Sequence, residues 1–222
     1  MDILAELEEF INEFNKLRDA DFSIDTIRVE FKKQHKLKEL HKLGIWSKLK
    51  KNSSLLPKLK RRLDSKEITS VWRLEKENIY YYNMQDPPKY RSATLVIFGM
   101  KQYNKEPPQK ELISKLLHIM KDVSNVDICL DVPYKPNLKK LSNYFTLTPY
   151  IAPNGYITDT KYINSTGVLM LEKIIFYNKA FKNNLKGTLW RIEAKIHVPN
   201  FRVLALPLYE FHQIIETTKV TR

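Results

Sequence analysis

The chain has 222 residues, of which 43% are apolar, and this predicts a globular protein with one large domain rather than a disordered chain. Five glycines and a single cysteine exclude collagen-like and disulfide-rich folds. The formal net charge of +13 favours a polyanionic partner, with nucleic acid ahead of an anionic membrane surface.

The start of the chain, MDILAELEEFINEFNKL, is acidic and amphipathic. A secretory signal peptide would begin with positive charge, and no apolar run reaches the roughly 20 residues of a membrane span. Lone Cys129 fits a reducing compartment. We therefore expect a cytoplasmic protein without a membrane partner.

The first predicted element is a helix over residues 2–18, capped by Asp2. Its predicted apolar face consists of Ile3, Leu7, Phe10, Phe14 and Leu17. The next segment, SIDTIRVEF, alternates in polarity and predicts a strand.

A dense block of positive charge follows, from Lys32 to Arg62, with twelve basic residues against the single acidic residue Glu39. Such density predicts contacts with nucleic-acid phosphates, although a solvated basic surface is the alternative. The pattern does not decide whether this segment is helical or extended. The predicted DNA-binding residues are Lys32, Lys33, Lys36, Lys38, Lys42, Lys48, Lys50, Lys51, Lys58, Lys60, Arg61 and Arg62.

The middle of the chain alternates strands with one helix. Two strands around a Lys-Glu-Asn turn are predicted in ITSVWRLEKENIYYYNM, and DPPKYR then interrupts the sheet. The apolar strand ATLVIFGM, the helix in EPPQKELISKLLHIMKDV and the strand NVDICLDVPY form a predicted βαβ unit from Ala93 to Val132.

The last third predicts loops with one or two short strands over residues 133–165, followed by a strand pair in IIFYNKAFKNNLKGTLWRIEAKI. A strand or loop and a short helix come next, in FRVLALPLYEFHQIIETT. The predicted class is α+β, with a mainly antiparallel sheet, helices packed on one face and the βαβ unit within it. The predicted parts are an N-terminal helix (1–21), a catalytic domain (22–198) with the basic insertion at about 32–62, and a C-terminal segment (199–222).

Charged residues alternate with apolar ones on two of these strands. In VDICLDV, Asp127, Cys129 and Asp131 share one face of the predicted strand. In LWRIEAKI, Arg191, Glu193 and Lys195 share the face opposite the apolar residues. If the strands are neighbours, Asp127, Asp131 and Glu193 converge in a set that suits Mg²⁺ or Mn²⁺. The alternative is the ordinary charged face of a half-buried antiparallel sheet.

The order of these motifs resembles the replication-initiator family of rolling-circle plasmids, which includes relaxases of some conjugative elements, and more loosely the initiators of filamentous phages. The family has a strand with two spaced aspartates, a strand ending in Y-[DN]-K and a strand of the type R-[FL]-E. The matching residues here are Asp127 and Asp131, then Tyr177-Asn178-Lys179, then Arg191-Ile192-Glu193. Many members have an acidic residue five positions after the tyrosine, where this chain has Lys182.

The resemblance implies a sequence-directed DNA nickase and strand transferase that starts rolling-circle replication. Tyr177 would attack a phosphodiester, leaving a 5′-phosphotyrosine and a free 3′-hydroxyl. Lys179 and Arg191 would stabilise charge on the phosphate, and Asp127, Asp131 and Glu193 would bind Mg²⁺ or Mn²⁺, with their division into ligand and base left open. The resemblance alone selects Tyr177 from the twelve tyrosines.

The implied partner is replication-origin DNA, single-stranded or supercoiled, and a homodimer and a host helicase remain open as further partners. Two other functions stay open on the residues alone. One is a DNA-binding protein without catalysis that uses the basic block, and the other is a metal-dependent nuclease that uses water instead of tyrosine.

Overall fold

A computed structural model describes residues 2–63, 68–84, 91–152, 154–199 and 203–219. The chain divides into two compact units. The first consists of residues 26–102 and 106–124 with the start of the chain up to Glu6, and the second consists of Leu7–Asp25, Tyr103–Lys105 and the chain from Asn125 onward. The helix α1 (Ile3–Arg18) and the strand β1 (Ser23–Lys32) each have residues in both units.

The first unit contains an antiparallel sheet of strand order β2-β3-β4-β5-β1. Besides β1, its elements are α2 (Lys33–His41), β2 (Trp46–Lys48), α3 (Leu55–Arg62), β3 (Ile68–Leu74), β4 (Ile79–Met84), β5 (Ser92–Phe98) and α4 (Lys110–Met120). The helix α3 packs through Leu59 on the sheet face that includes Tyr80 and Tyr82. The helix α2 meets the opposite face, where His41 is hydrogen-bonded to Tyr81. Helices therefore lie against both faces of this sheet, whereas the sequence predicted helices on one face.

The second unit contains an antiparallel sheet of order β6-β10-β9-β8-β7. Its elements are β6 (Asn125–Val132), a 3₁₀ turn (Leu141–Asn143), β7 (Leu147–Ile151), β8 (Ile157–Ile163), β9 (Leu171–Asn178), α5 (Lys179–Asn183), β10 (Trp190–His197) and α6 (Ala205–Thr218). The apolar face of β9 and β10 is fully buried, and α6 packs against β10. On α6, Phe211 stacks on Phe22 with ring centroids 5.2 Å apart.

Most predicted elements are present, and the α+β class with its antiparallel sheet is confirmed. The strand, helix and strand predicted between Ala93 and Val132 are β5, α4 and β6, and both edges of β5 are paired, with β4 and with β1. The undecided basic segment forms two helices and a short strand. The predicted interruption at residues 86–91 lies mostly outside the described residues. The start of the predicted C-terminal strand or loop, at residues 201–202, lies wholly outside them. The predicted division at residues 21 and 198 stays a prediction.

The N-terminal helix is confirmed, with one difference in its apolar face. The Asp2 carboxylate accepts hydrogen bonds from the amides of Leu4 and Ala5, as a cap does. The predicted face included Leu17, which is 81% exposed, whereas Leu4 and Ile11 are buried. The turn of about 100° per residue brings Leu4 and Ile11 to one side of the predicted stripe and leaves Leu17 at its other edge.

None of the helices in the described ranges is long and apolar enough to cross a membrane.

Candidate active site

Three neighbouring strands of the second unit bring the predicted site residues to one sheet face. The strand β10 lies between β6 and β9, and opposed residues of an antiparallel pair point to the same side. Arg191 is opposite both Asp131 on β6 and Tyr177 on β9. Glu193 is opposite Cys129 and Ile175, one pair farther along the same face. The condition set by the sequence, that the two charged strands be neighbours, is therefore met.

Arg191 is the centre of this face and is fully buried. Its Nε and Nη2 donate to the two carboxylate oxygens of Asp131, both at 2.6 Å, and its Nη1 donates to Asp25 Oδ1 at 2.7 Å. Burial of a guanidinium is tolerated when it is paired in this way. The charged face of β10 is thus excluded from solvent at Arg191. Side chains farther along this face are more exposed, reaching 16% at Glu193 and 36% at Lys195.

The hydroxyl of Tyr177 donates a hydrogen bond to the carboxylate of Glu193. The distance from Tyr177 Oη to Glu193 Oε1 is 2.6 Å, and the same oxygen lies 3.8 Å from Arg191 Nη1. Tyr177 is only 6% exposed. The two residues that the sequence motifs pointed to, one on β9 and one on β10, therefore form a phenol–carboxylate pair.

Two lysines lie close to the Tyr177 ring. The Nζ of Lys179 is 3.5 Å from Tyr177 Oη, and Lys179 is itself buried. The Nζ of Lys182 lies 4.5 Å from the centroid of the Tyr177 ring. Both lysines belong to α5, which begins where Asn178 caps it by accepting a hydrogen bond from the amide of Phe181 at 2.8 Å. The basic residue at 182, where many members of the resembled family have an acid, thus adds positive charge beside the phenol.

Burial and charge shift the proton affinities of these groups. Burial, reinforced by the charge of Glu193, raises the pKa of Tyr177 well above 10. Burial and the charge of Asp25 raise the pKa of Glu193 above its ordinary value. Burial and the charge of Arg191 lower the pKa of Lys179. The phenol therefore stays protonated at neutral pH until a base accepts its proton, and Glu193 is a stronger base than an exposed glutamate.

Two site residues were not predicted from the sequence. Asp25 lies at the start of β1 and pairs with Arg191 across 166 residues of sequence. Tyr103 donates its hydroxyl to Asp131 Oδ2 at 2.6 Å, and burial together with this hydrogen bond raises the pKa of Tyr103 to about 12. Asp25 is one of several polar residues along β1, so no pattern in the sequence singles out either Asp25 or Tyr103.

Of the three carboxylates predicted to bind a metal, Asp131 is paired with Arg191, and Glu193 Oε1 lies 3.8 Å from Arg191 Nη1. Asp131 Oδ2 accepts from both Arg191 and Tyr103, and Oδ1 accepts from Arg191, which leaves one lone pair on Oδ1. Asp127 is opposite Lys195 in the register. Across the residues that the structure covers, no group of three or more His, Cys, Asp or Glu side chains is placed to hold a metal ion.

The predicted DNA-binding residues lie in the first unit, at the end of β1 (Lys32), on α2, β2 and α3, and in the loops between them. Most of their side chains are exposed, among them Lys38, Lys50, Lys51 and Lys58. Lys42 forms an exposed ion pair with Glu39 at 2.8 Å, and Lys48 lies over the Trp72 ring. The side chain of Arg61 is outside the described part of the structure.

No protein-family model and no curated protein sequence matches the chain. Among solved structures, it is similar to one described as a rolling circle replication initiator protein from Geobacillus stearothermophilus. The two share 13% sequence identity with a TM-score of 0.49, over 88% of this chain and 80% of that chain. Values this low do not establish a common family.

The Arg191 pairing predicts a large loss of stability on its removal. Arg191→Met should lower the free energy of unfolding by about 3–5 kcal/mol, because Asp25 and Asp131 are left buried without their cation. Lys195→Met is the matched control on the same strand and face, since its ion pair with Glu172 is partly exposed and should contribute less than about 1 kcal/mol. Urea unfolding measures both, and equal losses in the two variants would contradict the assignment.

Proposed function

We propose that the protein is a DNA nickase and strand transferase that uses Tyr177 as its nucleophile and initiates rolling-circle replication. The observation that carries the proposal is the hydrogen bond of 2.6 Å from the Tyr177 hydroxyl to Glu193, beside the two lysines of α5. The order of the sequence motifs supports the same assignment, because Tyr177 and Glu193 are both among the positions that match motifs of the resembled family.

The proposed reaction is an exchange of one phosphodiester for another. The Tyr177 Oη forms a bond to phosphorus while the bond from phosphorus to the 3′-oxygen breaks. The phenolic proton passes to Glu193, and the departing 3′-oxygen takes up a proton to become a hydroxyl. The products are a 5′-phosphotyrosine and a free 3′-hydroxyl, and attack by a 3′-hydroxyl on the phosphotyrosine reverses the step and rejoins a strand.

Glu193 has the role of general base in this proposal. A phenol with a raised pKa is a poor nucleophile until its proton is removed, and the carboxylate that accepts the hydrogen bond is in position to remove it. Of the two roles left open for this carboxylate, base or metal ligand, the contact with the phenol favours the base. Lys179 and Lys182 offset the negative charge that develops on the phosphate.

Arg191 has a different role from the one first expected. Its donors are directed to Asp25 and Asp131, and it is fully buried, so direct contact with a phosphate would require these ion pairs to break. We therefore assign Arg191 as a positioning residue. It orders the strands that place Tyr177 and Glu193 and lies 3.8 Å from the base.

A divalent cation, Mg²⁺ or Mn²⁺, held by Asp127, Asp131 and Glu193 stays a prediction from the sequence, and no step of the proposed reaction depends on it. When bound, it would neutralise charge on the phosphate and the departing oxygen. The described residues do not bring these three carboxylates together as a ligand group, since Asp127 is opposite Lys195 and Asp131 is opposite Arg191 on β10. The contact between Glu193 and Tyr177 uses only Oε1 of that carboxylate.

The basic block is the proposed surface for binding origin DNA. The exposed lysines on α2, α3 and the connecting loops supply cations for phosphates. Leu56 and Leu59 of α3 and Leu63 just after it pack into the core, whereas Lys58 of the same helix is exposed to solvent.

The central test of the function is Tyr177→Phe, which keeps the ring and removes the nucleophilic oxygen. With supercoiled origin DNA and Mg²⁺ or Mn²⁺, the unchanged protein should nick the DNA and form a covalent protein–DNA adduct, and the variant should do neither. Tyr162→Phe, on the adjacent strand β8, is the matched control and should retain both activities. Nicking that survives in Tyr177→Phe without an adduct would indicate a water-using nuclease, and no nicking by the unchanged protein would indicate a DNA-binding protein without catalysis.

The second test concerns Glu193 and pH. As a base, Glu193 acts only when ionised, so the nicking rate should rise with pH through a pKa above its ordinary value of 4.5. Glu193→Gln should lower the rate by roughly 10²–10⁴-fold and abolish this rise. Glu172→Gln, an exposed carboxylate on β9, should change neither. A Glu193→Gln variant with an unchanged pH profile would show that this carboxylate is not the base.

The third test concerns the basic block. DNA affinity should fall steeply with salt, and replacing Lys50 and Lys51 together by Ala should reduce the slope of log K against log salt by about two. Replacing Lys105 and Lys115, two exposed lysines outside the block, should leave the slope unchanged. Fluorescence anisotropy with labelled DNA measures the slopes. A shallow slope for the unchanged protein would remove the block from the binding surface.

A further inference from the structure

The helix α5 presents an exposed aromatic ring close to the nucleophile. Phe181 is 84% exposed, the highest value among the large hydrophobic residues in the described ranges. It lies four positions after Tyr177 and immediately before Lys182, whose Nζ is 4.5 Å from the Tyr177 ring centroid. A single exposed apolar residue is ordinary on a protein surface. Phe181 differs from such residues because the backbone that carries it is held by many hydrogen bonds.

Four hydrogen bonds hold α5 in place although it has only five residues. Besides the Asn178 cap, the amides of Lys179 and Ala180 donate to the carbonyl of Leu189, at 2.8 and 3.0 Å. The side chain of Asn183 donates to the carbonyl of Lys179 at 2.9 Å. The Phe181 ring is therefore presented from an ordered backbone, which lowers the entropy lost when a ligand contacts it.

A second contact ties α5 to another exposed ring. The side chain of Asn104 donates to the carbonyl of Asn183 at 2.8 Å, and its neighbour Tyr103 is 44% exposed with its hydroxyl fixed on Asp131. The Nζ of Lys179 lies 5.9 Å from the Tyr103 ring centroid. Exposed aromatic rings interspersed with cations are the arrangement that binds unpaired nucleic-acid strands, in which bases stack and phosphates pair.

We propose that Phe181 stacks on a nucleobase next to the phosphate attacked by Tyr177, and that Lys182 binds this phosphate. The inference rests on the proposed nickase function and identifies how the site holds its substrate. A base in an intact duplex is stacked on both sides and offers no free face to Phe181. The strand must therefore be unpaired beside the cleaved bond. Withdrawal of Lys182 to a phosphate would also uncover the ring of Tyr177, which is 6% exposed here.

The test is binding without cleavage, in the Tyr177→Phe background. The probes are a fluorescein-labelled oligothymidine of about 20 nucleotides, chosen because stacking tolerates any base, and a labelled duplex of the same length. Phe181→Ala should weaken oligothymidine binding by roughly 5- to 100-fold and leave duplex binding unchanged. Phe181→Trp should bind within about threefold of Phe181, whereas Phe181→Leu, which is apolar without a π face, should be weakened like Ala. Leu169→Ala, at another exposed apolar residue of the second unit, is the control and should change nothing.

Three results would overturn the inference. One is unchanged oligothymidine binding by Phe181→Ala, and another is an equal loss for the duplex. The third is a lower molar mass of Phe181→Ala in light scattering, which would make the ring a contact between copies of the chain. Failure of this inference can be distinguished from failure of the nickase function. The nickase is refuted if the unchanged protein forms no adduct with DNA, whereas oligothymidine binding in the Tyr177→Phe background tests Phe181 in either case.

Discussion

The buried guanidinium of Arg191 is the constraint on which the candidate site depends. It is fully buried in the middle strand of three, and it is neutralised by Asp131 from one neighbouring strand and by Asp25 from the start of β1. A charge in such a place is stable only with its partners present, so the pairing requires β6 and β10 to keep the register that places Arg191 opposite Asp131. The same register places Tyr177 opposite Arg191 on the other side.

Pairing of Arg191 with two aspartates also affects Glu193, the proposed base. The guanidinium already has its counter-charges, and its nearest nitrogen is 3.8 Å from Glu193 rather than in direct contact. Burial and the charge of Asp25 then raise the pKa of Glu193, which strengthens it as a proton acceptor for Tyr177. If Arg191 were bonded directly to Glu193, it would hold that carboxylate ionised and make it a weaker base.

The basic residues of the block and of α5 occur in two different environments, an exposed surface and the surroundings of the Tyr177 phenol. The lysines of the basic block are mostly exposed on α2, α3 and their loops, where they suit phosphates of any sequence. Lys179 and Lys182 are placed on a short, tightly hydrogen-bonded helix beside one phenol. The first arrangement suits affinity for a polyanion, and the second suits stabilisation of charge at a single phosphate.

The sequence by itself determined the faces of the strands, because side chains alternate in a fixed period of two whatever the partner strand is. That period put Tyr177, Arg191 and Glu193 on the charged sides of β9 and β10, and helical spacing located α1 and α4. Periodicity could not locate α5, since five residues are too few to show one. It also could not decide whether the basic segment is helical or extended, because lysine recurs there on every face. Only the tertiary structure decided that Asp131 and Asp25 pair with Arg191, that Tyr103 joins them, and that Glu193 accepts a hydrogen bond from Tyr177. These contacts join residues as far as 166 positions apart, and strand order and register, which set them, depend on packing of the whole sheet rather than on any local pattern.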